Sequence, residues 1–335
     1  MIGGRAPSVP RILVIGTGGT IAARTAMSGP RRYAYGQVGV GSLIAKAQVG
    51  AFADIRSEQV ADIGSQDMNT AVWHRLHDRL VAALSDKATD GVVITHGTDT
   101  LEETAYFLDL VLPVGPPVVL VGAMRPSNAD DADGPSNLAD AIRLAALPAA
   151  RDRGVLVVMG GAIHGARAAT KVSNAPPEAF RSFPERPLGA VSASGAFFFA
   201  PPPGAVRRDR YRMFDPGAEP RVDVVYAHAG MDSSIVSALA RRKTAGIVLA
   251  GLGNGNAPAA VLDRLGAAAR DGIAVVRSTR LGEGRVDRNV EVDDDALGFL
   301  AAGALNPQKS RILLQLLIAN SIDSLGQRQR AFDLG

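Results

Sequence analysis

The sequence predicts an α/β protein of two domains. The larger N-terminal domain has a doubly wound, parallel-type sheet with flanking helices, and a smaller α/β domain follows it. The 335 residues suit about two domains of roughly 150 residues each. Short apolar runs alternate with segments of helical periodicity, as in parallel sheets covered by helices. A Pro-rich and then Arg-rich stretch interrupts the alternation. We therefore predict an N-terminal domain over residues 1–200, a linker over 201–221 and a C-terminal domain over 222–335.

The composition excludes several classes of function. The net charge is only +3 and aromatic residues make up 5%, too little for a nucleic-acid surface built on charge and stacking. The absence of cysteine removes disulfides, thiolate nucleophiles and Cys-ligated metals. No apolar run reaches the roughly 18–20 residues of a membrane span, and residues 1–7 lack the apolar core of a signal peptide. We expect no nucleic-acid or membrane partner. We expect a cytoplasmic location for the chain as written, or a periplasmic one if a signal was removed.

The elements of the N-terminal domain follow from apolar periodicity. Strands are predicted at residues 11–16, 55–63, 92–94, 117–122 and 154–159, and helices near 40–47, 69–85, from 100 onward, and 136–147. Residues 25–41 are rich in Gly, Ser and Arg, which predicts a long loop. A loop of this length is usually a functional lid or a disordered insert. Tyr33 and Tyr35 in this loop either have a functional role or only pack against the protein to anchor the loop.

The C-terminal domain shows the same alternation. Strands are predicted at residues 222–226, 246–250 and 273–277, and helices near 233–242, 258–270 and 310–320. The acidic cluster of Glu291, Asp293, Asp294 and Asp295 is expected by default to form a solvated face.

Glycines and hydroxyl groups follow the first predicted strand. Residues 16–22 read Gly-Thr-Gly-Gly-Thr-Ile-Ala, and such glycines permit close approach of the backbone to a ligand. A dinucleotide fingerprint needs a third glycine where Ile21 stands, and a phosphate-binding P-loop needs a lysine. Both motifs are therefore excluded. The turn either presents the hydroxyls of Thr17 and Thr20 or serves only as a structural turn.

Polar residues also follow the central predicted strand. The run 92–94 is typical of a strand buried on both faces. His96, Thr98 and Asp99 come after it, and a helix begins near Thr100. The carboxyl ends of such strands are where α/β sheets usually bind ligands. Alternatively, Asp99 or Thr100 only caps the helix.

The polar groups at strand ends suit acyl transfer. The set comprises Thr20, Ser65, Gln66, Thr98, Asp99, Ala123 and, from a segment without clear periodicity, Lys171. A threonine hydroxyl is a nucleophile only when a neighbour takes its proton. A lysine can take that proton if its surroundings lower its pKa, and backbone N–H groups after strands can bind an oxyanion. These residues favour a hydrolase of a small polar amide.

Two motifs carry a family resemblance. Thr17-Gly-Gly-Thr-Ile-Ala22 and Thr95-His-Gly-Thr-Asp-Thr100 resemble the two signatures of the bacterial L-asparaginase family, in particular its type II branch. Segments similar to that family also occur, in order, at residues 64–68, 122–126, 132–135 and 305–309. The resemblance covers nearly the whole chain.

The resemblance implies roles for individual residues. It implies Thr20 as the nucleophile, Tyr33 as its helper on the lid, Thr98, Asp99 and Lys171 as a proton-transfer triad, and the N–H groups of Thr98 and Ala123 as oxyanion donors. It also implies that Ser65 and Gln66 hold the substrate α-carboxylate, that Asp99 holds the α-ammonium, and that Asn256 and Glu291 come from a neighbouring subunit.

The resemblance also implies an assembly and an activity. We expect a homotetramer built as a dimer of intimate dimers, without a metal or organic cofactor. The expected reaction converts L-asparagine to L-aspartate and ammonia through a threonyl acyl-enzyme, with L-glutamine as a poorer substrate. A balanced glutaminase-asparaginase and a non-catalytic amino-acid sensor are the alternatives. Residues 160–164 depart from the family's usual turn before Lys171.

Overall fold

A computed structural model of the chain describes residues 9–25, 33–49, 52–175, 179–199 and 211–334. The chain divides into two units, Met1–Val206 and Arg207–Gly335. The predictions for residues 1–7, for residues 26–32 of the lid and for residues 201–210 of the linker lie outside the described residues.

The first unit contains a sheet of eight strands flanked by helices. The strands described in this unit, which include the eight of the sheet and two separate pairs, β2-β3 and β9-β10, are β1 (Arg11–Gly18), β2 (Arg24–Thr25), β3 (Tyr33–Ala34), β4 (Asp54–Ile63), β5 (Gly91–Thr95), β6 (Val118–Val121), β7 (Val155–Met159), β8 (Ala162–Gly165), β9 (Ala169–Lys171), β10 (Phe180–Ser182), β11 (Gly189–Ser192) and β12 (Gly195–Phe198). Its helices are α1 (Val40–Ala47), α2 (Thr70–Ser85), α3 (Leu101–Val111) and α4 (Gly134–Ala145), with 3-10 turns at Thr20–Ala22, Ser65–Asp67 and Pro148–Ala150.

The order of the strands locates a binding edge. The large sheet has the order β12-β11-β8-β7-β6-β5-β1-β4, and the part from β7 to β4 is parallel. The chain places β4 on one side of β1 and then β5 on the other, so the order reverses between β1 and β5. Ligands of open α/β sheets bind at such a reversal, beyond the carboxyl ends of the strands. The predicted turns that carry Thr20 and Thr98 follow β1 and β5.

The central strands of the sheet and helix α3 form the core of the first unit. Every residue of β5, β6 and β7 is buried, as expected for strands covered on both faces. In α3, every residue except Glu103 is buried, so this helix lies inside the unit rather than on its surface. Helix α2 begins after Asn69, whose side chain accepts a hydrogen bond from the Val72 N–H at 3.2 Å.

Two stretches differ from the sequence prediction. Residues 162–198 form five short strands, and β8, β11 and β12 add antiparallel pairs to the sheet. Strands of three or four residues are too short to show a clear alternation. Within the predicted loop over 25–41, residues 33–34 form β3, which pairs with β2. Helix α1 begins at Val40, as predicted.

The second unit has a smaller parallel sheet in the order β13-β14-β15-β16. These strands are β13 (Val222–Tyr226), β14 (Gly246–Gly251), β15 (Ala274–Thr279) and β16 (Phe299–Ala301), and the helices are α5 (Ser234–Arg241), α6 (Ala259–Arg270), α7 (Asp294–Leu297), α8 (Pro307–Ala319) and α9 (Leu325–Leu334). The α/β prediction for both units is confirmed. None of the helices in the described part of the chain combines the length and apolar character of a membrane span.

Candidate active site

Three turns at the carboxyl ends of β1, β4 and β5 pack directly against one another. Gly19 has φ 79°, and a Cβ added to it would lie 2.3 Å from the Gly97 Cα. A Cβ on Gly97 would lie 2.6 Å from the Ser65 Oγ. Only glycine permits this approach of backbone to backbone. The turns that carry Thr20, Ser65 and Thr98 therefore lie side by side.

A lysine joins the end of β5 from a distant part of the chain. Lys171, the last residue of β9, donates hydrogen bonds to the Thr98 Oγ1 at 2.8 Å and to the Asp99 Oδ1 at 2.6 Å. The Lys171 side chain is 16% exposed and that of Asp99 62%. Residue Thr100 is the N-cap of α3, without a capping hydrogen bond from its side chain. Thr100 is thus the cap by position, as the alternative expected, but no side-chain hydrogen bond from it caps the helix, and the Asp99 carboxylate accepts from Lys171 instead.

Two backbone N–H groups beside this site have no partner in the described part of the chain. A Cβ on Gly122 would lie 2.8 Å from the Thr98 Cγ2, so the turn after β6 adjoins Thr98. Neither the Thr98 N–H nor the Ala123 N–H has a hydrogen-bond partner among the residues that the structure describes. The Asp133 carboxylate holds the turn, because it accepts from the Met124 and Arg125 N–H groups at 2.9 Å each. The sequence pointed to Asp133 only as a member of the family-like segment 132–135, with no role assigned.

The turn after β4 presents Ser65 and Gln66. The Ser65 Oγ accepts from the Asp99 N–H at 3.1 Å, and its carbonyl accepts from the Thr100 hydroxyl at 2.8 Å. Ser65 is buried and Gln66 is exposed. Since Asn69 caps α2, Ser65 and Gln66 are not needed as its cap. The Ser65 hydroxyl hydrogen remains available to a ligand. The Gln66 Nε2 donates to the Asp67 Oδ2 at 3.3 Å, and an amide nitrogen carries a second N–H that a ligand can accept.

Thr20 and the two tyrosines of the predicted loop are the remaining candidates. The Thr20 hydroxyl makes no hydrogen bond within the described ranges. Tyr33 is 46% exposed, and its ring lies edge-on to Tyr35, with centroids 6.5 Å apart. Burial raises the pKa of Tyr35, and the nearby Asp99 charge adds to this, whereas a hydrogen bond with Gln66 opposes it. Tyr35 therefore lies near Asp99 and Gln66. The sequence alone assigned it no specific role.

His96 is a further residue of the site that the sequence did not assign. It is fully buried, and its Nδ1 lies 2.7 Å from the Gly97 carbonyl oxygen. Burial lowers its pKa to about 4, although the hydrogen bond to Gly97 opposes this shift. The imidazole is therefore neutral near pH 7. The only sequence signal was its position between a buried strand and a glycine.

The second unit brings together Asn256 and Glu291, whose side chains form a hydrogen bond of 3.0 Å. The loops that carry them are joined by Arg277, which donates to the Asn254 carbonyl at 2.8 Å. Arg277 also forms two hydrogen bonds of 2.6 Å with Asp294, and both side chains are 0% exposed. The expectation that Asp294 lies on a solvated face is wrong, because a buried guanidinium requires a charged partner.

The described residues contain no group of three or more His, Cys, Asp or Glu that could hold a metal ion. The groups gathered at the edge of the first unit are hydroxyl, carboxylate, amine and backbone N–H groups. These are the groups required for nucleophilic attack on a carbonyl and for stabilising the oxyanion that results.

Comparison with known proteins identifies the family of the chain. Residues 11–203 match the sequence model of the asparaginase N-terminal domain, and residues 221–332 match that of the glutaminase/asparaginase C-terminal domain. The chain is 43% identical to L-asparaginase 2 of Escherichia coli over 322 residues, covering 96% of this chain and 92% of that protein. It is 43% identical to the probable periplasmic L-asparaginase of Haemophilus influenzae, with 95% and 91% covered. Identity to the glutaminase-asparaginase of Pseudomonas fluorescens is 38%, with 96% and 89% covered. The chain belongs to the asparaginase family.

Proposed function

We propose that this protein hydrolyses L-asparagine to L-aspartate and ammonia through an acyl-enzyme on Thr20, with L-glutamine as a poorer substrate. The observation that carries the proposal is the contact of Lys171 with both Thr98 and Asp99, beside the turn that presents Thr20. Membership of a family whose named relatives include L-asparaginases supports the choice of substrate.

The substrate is held by its α-amino-acid group. The Asp99 carboxylate is 62% exposed, and its Oδ2 makes no hydrogen bond within the described part of the chain. This oxygen can accept from an α-ammonium. The Ser65 hydroxyl and the Gln66 amide can donate to an α-carboxylate. The polar end of the substrate would thus lie over the β4 and β5 turns, which directs its amide toward Thr20.

Attack by the Thr20 oxygen forms a C–O bond to the amide carbon and moves the carbonyl π electrons onto oxygen. The N–H groups of Thr98 and Ala123 donate to this oxyanion. The Tyr33 hydroxyl, brought over the turn by its loop, takes the Thr20 proton and gives up its own proton to water, so the phenol stays neutral. Breaking the C–N bond then releases ammonia and leaves an ester on Thr20, which water hydrolyses to L-aspartate.

The leaving nitrogen needs a proton, and Thr98 is placed to supply it. Because Lys171 donates to the Thr98 oxygen, the hydroxyl hydrogen of Thr98 points away from the amine. It can therefore be transferred to the nitrogen as the C–N bond breaks. Lys171 can replace that proton through the same hydrogen bond and then recover a proton from water, while Asp99 orients the amine.

The second unit contributes through assembly. We propose a homotetramer, a dimer of intimate dimers, in which Asn256 and Glu291 of one subunit complete the site of its neighbour. Their mutual hydrogen bond presents an amide and a carboxylate together, which suits an α-ammonium. Light scattering coupled to size-exclusion chromatography measures the mass, and a monomer that retains full activity would contradict this part of the proposal.

Ammonia release from L-asparagine tests the function. We expect Thr20→Ala and Thr98→Ala each to lower kcat by at least about 10³-fold, the scale of losing a nucleophile or its proton-transfer partner. Thr70→Ala, at the start of α2, is the matched control and should retain wild-type turnover. If both site variants keep wild-type kcat while remaining folded, the mechanism is wrong.

A balanced glutaminase-asparaginase is the second candidate, because several relatives carry that name. One methylene changes binding in a pocket by only about 1–3 kcal/mol, so the ratio of kcat/KM for the two amino acids must be measured. Equal values would favour the balanced enzyme. No ammonia from either amino acid would favour the amino-acid sensor.

A further inference from the structure

The His96 side chain has a defined proton position. Its Nδ1 lies 2.7 Å from the Gly97 carbonyl oxygen, which can only accept. The hydrogen therefore lies on Nδ1, and Nε2 carries a lone pair in the neutral ring. Nε2 is buried and has no hydrogen-bond partner within the described ranges. The hydrogen bond that the ring makes is thus the one to the backbone of its own turn.

That hydrogen bond fixes the direction of the next N–H. The Gly97 carbonyl and the Thr98 N–H belong to one planar trans peptide, so they point in opposite directions. Holding the carbonyl oxygen therefore aims the N–H. The constraint matters because glycine has an unusually free backbone and because no described group takes up the Thr98 N–H.

We propose that His96 is a positioning residue: its Nδ1–H holds the Gly97–Thr98 peptide so that the Thr98 N–H faces the oxyanion of the reaction. The inference rests on the proposed function, in which that N–H stabilises the tetrahedral intermediate. His96 itself does not touch the substrate. Its contribution is specific to the transition state, because an oxyanion donor gains most when the charge develops.

The geometry supplies a matched pair of substitutions. In asparagine the amide nitrogen is one bond from Cγ, as Nδ1 is in histidine, so His96→Asn retains a donor near the Gly97 oxygen. In glutamine the amide nitrogen is one bond further out, at the position of Nε2, so His96→Gln lacks that donor. Both are neutral and polar. His96→Leu removes both nitrogen positions while keeping a buried apolar volume.

The test is steady-state ammonia release from L-asparagine by wild type and the three variants, with L-aspartate affinity and thermal unfolding measured on the same samples. We expect His96→Leu and His96→Gln to lower kcat at least about tenfold, short of the roughly 10²- to 10³-fold lost when an oxyanion donor is removed. Their KM and their affinity for L-aspartate should stay within about twofold, because the groups that hold the α-carboxylate and α-ammonium are untouched. His96→Asn should recover kcat to within about threefold of wild type.

The outcomes separate this inference from the function on which it rests. If wild type releases ammonia but His96→Asn and His96→Gln lose kcat equally, the positioning role is wrong and the proposed function stands. If KM rises in proportion while kcat is unchanged, His96 acts on substrate binding and the inference is again wrong. If wild type itself releases no ammonia, both fail. Should His96→Leu not fold, the comparison of His96→Asn with His96→Gln decides alone.

Discussion

The two units hold their polar site residues by different means. In the first unit, Gly19 and Gly97 let neighbouring turns touch through their backbones, and the charged pair of Lys171 and Asp99 stays partly exposed. In the second unit, a fully buried ion pair ties together the loops that carry Asn256 and Glu291. The glycine contacts of the first unit need no buried charge, whereas the loops of the second unit depend on a buried ion pair.

This difference teaches which groups can act on a ligand. Packing through glycine leaves the hydroxyl, carboxylate and N–H groups of the first unit free to bind. The Arg277 guanidinium and the Asp294 carboxylate instead satisfy each other and nearby backbone groups. They hold the loops of the second unit together and, being fully buried, do not contact a ligand. Substitutions should therefore reduce stability most in the second unit and turnover most in the first.

The largest stability effect is expected at Arg277. Arg277→Met leaves the Asp294 carboxylate buried without its partner, which costs about 3–5 kcal/mol of unfolding free energy. Urea denaturation followed by circular dichroism measures the change. Arg221→Met is the control, because its pair with Asp223 is partly exposed at 53% and 24% and such pairs contribute at most about 1 kcal/mol. Equal losses of unfolding free energy in the two variants would contradict the special importance of the buried ion pair.

Acid should weaken the first unit through His96. Burial lowers the pKa of His96 from 6.5 to about 4, so between these values the unfolded chain binds a proton that the folded chain does not. Stability therefore rises with pH across this window and is lost as pH falls from 6.5 toward 4, by about 3 kcal/mol in total. Denaturation series at several pH values give the slope. His96→Asn should lose this contribution, and an unchanged slope in that variant would show that other groups cause it.

A smaller effect is expected where the turns touch. Gly97→Ala places a methyl group 2.6 Å from the Ser65 Oγ and 3.1 Å from the Gly19 Cα, an overpacking worth about 1–3 kcal/mol. The shift should also lower kcat, because Ser65 and Thr98 move apart. Gly41→Ala is the control, since nothing lies within 4 Å of its added Cβ and alanine favours the helix α1 by up to about 1 kcal/mol. A fully active, equally stable Gly97→Ala would mean that the close contact is not required.

The parallel part of the fold could be predicted because its physical signals are local. Strand β5 is an unbroken apolar run buried on both faces, and a glycine turn follows both β1 and β5. The carboxyl ends of parallel strands meet at one edge, so the rule for ligand sites selected Thr20, Thr98 and Asp99. These residues carry their signal within a few positions of the chain.

The remainder depends on contacts that leave no periodic signal. Lys171 meets Thr98 across 73 residues of sequence, through a series of strands too short to show alternation. Burial of Asp294 depends on Arg277, which the sequence placed at the end of an apolar strand without assigning it a partner. His96 could not be assigned because its role depends on the direction of one peptide group.

The central claim is that Thr20 and Thr98 act as one unit on one bound substrate. The most direct measurement is kcat for ammonia release by the Thr20→Ala/Thr98→Ala double variant beside the two single variants. Residues that act as a unit are strongly non-additive, so the double variant should lie within about tenfold of the slower single variant. Losses that multiply, as they do for independent sites, would contradict the account.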